Sequence, residues 1–140
     1  MKSVHSFEIL HVDLDLIVDY FGQIEGFCKK DNKFYYFSGY DIDGNNVSFD
    51  NDEDFCVKFC ELDDKDTEKF KELNTREMNL VGKVDKYRNL MSEYCEIESE
   101  IDIIRTSAIL GDGLFFEKIC TINGDFINWW NTPTYLEVIR

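Results

Sequence analysis

Residues 4–12 are rich in β-forming side chains, and from Leu10 onward apolar and polar positions alternate. Leu10, Val12, Leu14 and Leu16 fall on one side of that alternation, and His11, Asp13 and Asp15 on the other. A helical period overlaps it. Leu14, Ile17, Val18, Phe21 and Ile24 recur at helical spacing behind Asp13, whose carboxylate suits a helix N-cap. The pattern predicts an opening strand followed by a short N-terminal helix, ended by Gly22 and Gly26.

Lys33 to Ile42 is strongly β-prone, and Asp43-Gly44-Asn45 supplies turn chemistry before a return strand beginning at Asn46-Val47-Ser48-Phe49. Asp50 to Asp54 reads as an acidic loop, and Phe55 to Leu62 as the next strand. Helical spacing then takes over behind Asp66 or Thr67 as cap. Phe70, Leu73, Leu80, Val84, Tyr87, Leu90, Tyr94, Ile97, Ile101 and Ile104 form one apolar stripe. A single helix over 65–107 would be roughly 60 Å long at ~1.5 Å per residue. A globule of this size is only roughly 30 Å across. The segment therefore either projects and pairs with a second copy through residues 80–104, or breaks near Glu77 and Gly82 into a helical hairpin.

Beyond Gly111-Asp112-Gly113, residues 114–122 read as a strand, Asn123-Gly124 as a tight hairpin turn and Phe126 to Trp130 as its return. Tyr135 to Ile139 adds a last edge strand. The fold class is α+β in one domain over 1–140. An antiparallel β-sheet of hairpins packs with the short N-terminal helix and with the long central helix or helical hairpin.

Charge sharpens this picture. The 140 residues carry a net charge of -14. From Met1 to Asp64 there are 5 Lys against 15 Asp and Glu, so most of the excess sits in the first half. A small domain stays soluble with a net charge of only about 2–8 in magnitude. The surplus points to a surface made for a cationic partner, and it argues against direct nucleic-acid binding, which needs clustered Lys and Arg. Aromatic content of 15% argues against a disordered acidic tail. No apolar run is long enough for a transmembrane helix, and the N-terminus lacks the apolar core of a secretory signal. The 5 Cys form no CxxC pair and read as reduced, mostly buried thiols of a cytoplasmic protein. Neither His5 nor His11 has zinc-finger spacing to them.

Candidate chemistry is sparse. There is no phosphate-binding glycine loop and no GxSxG elbow. Asp41, Asp43, Asp50 and Asp52 sit in a stretch with oxygens at alternate positions, as in a calcium loop. Glycine falls at its fourth position instead of the sixth, so a solvated hairpin with an acidic rim fits better. Asp41, Asp43, Asp50, Asp52, Glu53 and Asp54 are the candidate partner-binding carboxylates. Trp130, next to Trp129, is a candidate aromatic anchor at an interface.

The stretch Ile9-Leu10-His11-Val12-Asp13-Leu14-Asp15-Leu16 locally resembles the first palm strand of Y-family DNA polymerases. In that family such carboxylates help hold magnesium for nucleotidyl transfer, which would make Asp13 and Asp15 metal ligands and the chain a Mg-dependent nucleotide- or nucleic-acid-processing enzyme. The aromatic pair that follows in the family is replaced here by Ile17-Val18. The leading expectation is instead a non-enzymatic acidic inhibitor or immunity-type protein, without a cofactor, whose anionic face blocks a basic site on another protein. In size, charge and aromatic richness it is similar to small acidic inhibitors of mobile elements, anti-CRISPR proteins among them. A structural homo-oligomer built on the long helix is the third reading.

Overall fold

The structure is a computed structural model, and it describes residues 4–12, 25–40, 55–80, 91–111, 114–124 and 132–139. Six strands form a closed, fully antiparallel barrel in chain order: β1 (Val4–Val12), β2 (Glu25–Lys30), β3 (Lys33–Tyr40), β4 (Phe55–Glu61), β5 (Leu114–Asn123) and β6 (Tyr135–Ile139). Two helices, α1 (Asp64–Met78) and α2 (Met91–Leu110), lie between β4 and β5. The α+β class holds. Both described helices fall within 64–110, so none matches the expected short N-terminal helix, and residues 13–24 lie outside the described part.

Inside the barrel, strand alternation stacks Phe7, Ile9, Cys28, Tyr35, Phe37, Val57, Phe59, Leu136 and Val138, all buried. Phe7 and Phe59 stack with centroids 4.5 Å apart, and Tyr35 meets both edge-on at 5.7 and 5.9 Å. A barrel this narrow has room only for side chains, and rings fill it. The opposite faces of β2, β3 and β4 present Phe27, Phe34, Tyr36, Cys60 and Leu62 to the helices. There they meet Phe70 and Leu73 of α1 and Tyr94, Ile97, Ile101 and Ile104 of α2. Phe27 stacks on Phe70 at 4.5 Å.

The described residues of the helical stripe are therefore buried within the chain. Ion pairs Lys69–Glu100 at 3.2 Å and Arg76–Glu93 at 3.9 Å run α1 and α2 antiparallel, as the hairpin reading of 65–107 expects. Of the large apolar side chains described between 80 and 104, Ile103 is the one left exposed. Asp63, not Asp66 or Thr67, caps α1 by accepting the Asp66 backbone N–H at 2.7 Å.

Two strand expectations are corrected. Gly26 does not end a helix; it lies within β2, whose hairpin to β3 turns at Asp31 in the left-handed region, φ 57°. Tyr135–Ile139 is not an edge strand. It pairs with β1 on one side and β5 on the other, and this closure removes both sheet edges. Asn123 pairs with Tyr135 of β6, and the return strand expected at 126–130 lies outside the described residues. Gly124, at φ 121°, passes so close to the start of β6 that a Cβ would sit 2.6 Å from the Pro133 carbonyl oxygen.

One irregularity sets up a buried charge cluster. Along β1, Ile9 pairs with Cys28, but His11 pairs with Phe27, so Leu10 is an extra residue in a β-bulge. Simple alternation would put His11 with Phe7 and Ile9 inside the barrel. The bulge shifts it onto the helix-facing side, with Phe27 and Tyr36. Gly26 makes this possible, since a Cβ there would lie 2.1 Å from the His11 carbonyl oxygen. Gly26→Ala should therefore lower the unfolding free energy by about 3 kcal/mol, the upper end of ordinary overpacking. Gly111→Ala, whose methyl would meet nothing nearer than 3.3 Å, should stay within about 1 kcal/mol in the same chemical denaturation series.

Candidate functional site

The bulge delivers His11 to a pocket of charge beneath the helices. Its side chain is 4% exposed, and its Nδ1 lies 2.5 Å from Glu77 Oε1 of α1, which is fully buried. On the other edge of the ring, Nε2 lies 3.5 Å from Glu98 Oε1 of α2, whose side chain is 24% exposed. The first contact is a short hydrogen bond. The second is an electrostatic contact at the outer limit of hydrogen-bond length. Phe27 and Phe70 flank the imidazole, with centroids at 5.8 and 6.5 Å.

Two carboxylates and one imidazole in an apolar shell cannot titrate independently. Burial opposes a charge on His11, but the adjacent Glu77 and then Glu98 outweigh it and raise the imidazole from 6.5 to about 10. At neutral pH the ring is a cation with a proton on each nitrogen, the one on Nδ1 donated to Glu77. Burial acts on both carboxylates and drives them apart. Glu77, the deeper one, is pushed up to about 7 despite the opposing pull of His11. Glu98 resists its own burial through His11, Glu77 and the Tyr94 hydroxyl, and falls to about 2. Burial thus makes Glu77 the more readily protonated of the two acids.

Beside the cluster is a small cavity of about 110 Å³ lined by His11, Glu25, Tyr36, Glu98, Asp102 and Arg105, among others. The Tyr36 hydroxyl donates to Glu25 Oε2 at 2.7 Å, and burial together with that carboxylate pushes its pKa up. Arg105 Nε donates to Asp102 Oδ1 at 2.7 Å. Chemically, the cluster can hold a proton, orient an imidazole or ligate a cation. His11, Glu77 and Glu98 offer three ligand atoms within 4.8 Å of one another.

None of these three residues stands out as a candidate in the sequence, though each leaves a trace there. His11 stands at the end of β1 between the apolar Leu10 and Val12. Glu77 occupies the stripe position four after Leu73, where an apolar residue belongs, and Glu98 follows Tyr94 at the same interval. A charged residue at a core position asks for a partner.

The sequence candidates lie elsewhere. Asp13, Asp15, Asp41, Asp43, Asp50, Asp52, Glu53, Asp54 and Trp130 are all outside the described residues. Their connections nonetheless share an origin. In an up-and-down barrel the segments after β1, β3 and β5 all depart from the same end, and those after β2 and β4 from the other. The connections at 13–24, 41–54 and 124–134 therefore begin and end on one rim. The helical hairpin departs from the opposite rim.

Comparison with protein-family profiles, with curated proteins and with solved structures returned no match. Among the described residues, no helix is long and apolar enough to cross a membrane.

Cutting one member out of the buried cluster should be costly. Glu77→Ala leaves the His11 cation short of its closest partner and should lower stability by about 3–5 kcal/mol in urea denaturation. The double replacement His11→Leu with Glu77→Leu removes the buried pair together and should recover most of that loss, because Glu98 reaches water.

Proposed function

We propose that this protein is a small acidic binding protein of the inhibitor or immunity type, whose anionic barrel rim occupies a basic, nucleic-acid-binding site on another protein. One observation carries the reading. The three connections that share a rim contain Asp13, Asp15, Asp19, Asp41, Asp43, Asp50, Asp52, Glu53, Asp54 and Asp125, and not one Lys or Arg. Most of the molecule's net charge of -14 is thus assigned by topology to connections from a single end of the barrel.

The rest of the chain supports the contrast. Lys29, Lys33, Lys69, Lys71, Arg76 and Arg105 each sit within 4.0 Å of a carboxylate of the barrel wall or helices. These six cations are therefore matched locally by carboxylates. A field concentrated at one pole speeds encounter with a positive surface and is screened by salt, with a Debye length of about 8 Å at physiological ionic strength. Trp129 and Trp130 belong to the third of these connections, and paired aromatics are frequent anchors of binding energy.

The test is capture of a partner by the tagged full chain at low salt, followed by two charge-neutralised variants. The first carries Asp50→Asn, Asp52→Asn, Glu53→Gln and Asp54→Asn; the second carries Glu68→Gln, Glu72→Gln and Glu96→Gln on the helices. The rim variant should lose at least about tenfold in affinity for the captured protein and most of the salt dependence, with the helix variant unchanged. Failure to retain any basic protein at low salt, or equal binding by the rim variant, would refute the reading.

A further inference from the structure

We propose that His11, Glu77 and Glu98 form a binding site for one divalent first-row transition-metal ion, a function separate from partner binding at the rim. The donor set is one imidazole and two carboxylates, a combination suited to Zn²⁺ and its neighbours in the series. The ligand atoms lie within 4.8 Å of one another. His11 Nε2 and Glu98 Oε1 are 3.5 Å apart, close to the ~3.4 Å between two ligand atoms on a tetrahedral ion with bonds of about 2.1 Å. Glu77, whose Oε1 contacts Nδ1 on the opposite ring edge, completes the set by giving up that contact and swinging its carboxylate toward Nε2.

The second observation is independent of that spacing. Glu77 Oε2 and Glu98 Oε1 are both buried and accept no hydrogen bond, although Glu77 is fully inaccessible to solvent. An orphaned carboxylate oxygen in an apolar interior is costly, and native structures seldom leave one without a reason. A cation shared by the two acids satisfies both oxygens at once. The neighbouring cavity of about 110 Å³ borders His11 and Glu98 and has room for the water molecules that would complete the coordination shell.

Charge also balances. Two carboxylates and a neutral imidazole neutralise a dication, as the imidazolium partly neutralises the acids in its absence. Binding therefore displaces the proton from the ligating imidazole nitrogen into solvent. The ion would tie β1, α1 and α2 together at one point, and the ligand positions are so far apart in sequence that only the folded chain assembles the site.

The experiment uses the full chain, stripped with chelator and titrated separately with Co²⁺ in an absorption spectrometer and with Zn²⁺ in a calorimeter. The expected result is one equivalent bound, with the visible bands of cobalt in a nitrogen and oxygen environment and no strong near-ultraviolet thiolate band from the cysteines. Glu98→Gln, chosen because that side chain reaches solvent and its loss leaves the His11–Glu77 contact in place, should weaken binding at least tenfold. Asp102→Asn, on the same cavity but paired with Arg105, should leave it unchanged. Circular dichroism confirms that both variants fold. Absence of a stoichiometric site, several weak equivalents typical of an acidic surface, a thiolate band, or unchanged affinity in Glu98→Gln would each overturn the assignment.

Discussion

A single buried cation holds this fold to its helices. His11 belongs to a barrel strand, Glu77 to the first helix and Glu98 to the second, and their contacts at 2.5 and 3.5 Å meet at one imidazole. Apolar packing around it, from Phe27 and Phe34 to Ile97 and Ile104, supplies most of the attraction between the two layers. Such packing is non-directional and tolerates sliding. A charged ring between two acids is not tolerant in that way, because any shift leaves a charge buried without its partner. The cluster fixes how the hairpin sits on the barrel, and the bulge at Leu10 and the bare backbone of Gly26 are the local devices that permit it.

How much of this the sequence discloses depends on which signal each element leaves. The helical segment is legible, though not its folding back into a hairpin, since Phe70, Leu73, Tyr94, Ile97, Ile101 and Ile104 keep helical spacing and all are buried. Strands β3, β4 and β5 are legible as β-branched and aromatic runs. Strand β2 is not, because Glu25 to Lys30 is short, contains a glycine and ends in two lysines, a composition that reads as the close of a helix. Barrel closure leaves no local trace at all. It depends on β6 pairing with β1 across nearly the whole chain, and nothing within Tyr135–Ile139 distinguishes a closing strand from an edge.

The site was hidden for a related reason. His11 falls among side chains whose alternation implies the barrel interior, and one extra residue reverses its direction. A bulge changes facing without altering the composition that pattern reading relies on. Glu77 gives the plainer warning, a carboxylate in the middle of an apolar stripe. The acidic segments, by contrast, are legible as charge but not as location. Only the up-and-down strand order puts the attachments of 13–24, 41–54 and 124–134 on a common rim. The result is an aromatic barrel clamped to a hairpin, with the acidic connections attached at one of its ends.

The clamp itself is accessible to one measurement. Nitrogen-detected magnetic resonance of the His11 ring, in metal-free protein followed across pH, reports its protonation directly. The account predicts that both ring nitrogens carry protons at neutral pH and that the ring releases one only near pH 10, far above its ordinary 6.5. A ring that titrates near 6.5, or that is neutral at pH 7 with a single tautomer, would contradict the buried ion cluster and with it the proposed attachment of the hairpin to the barrel.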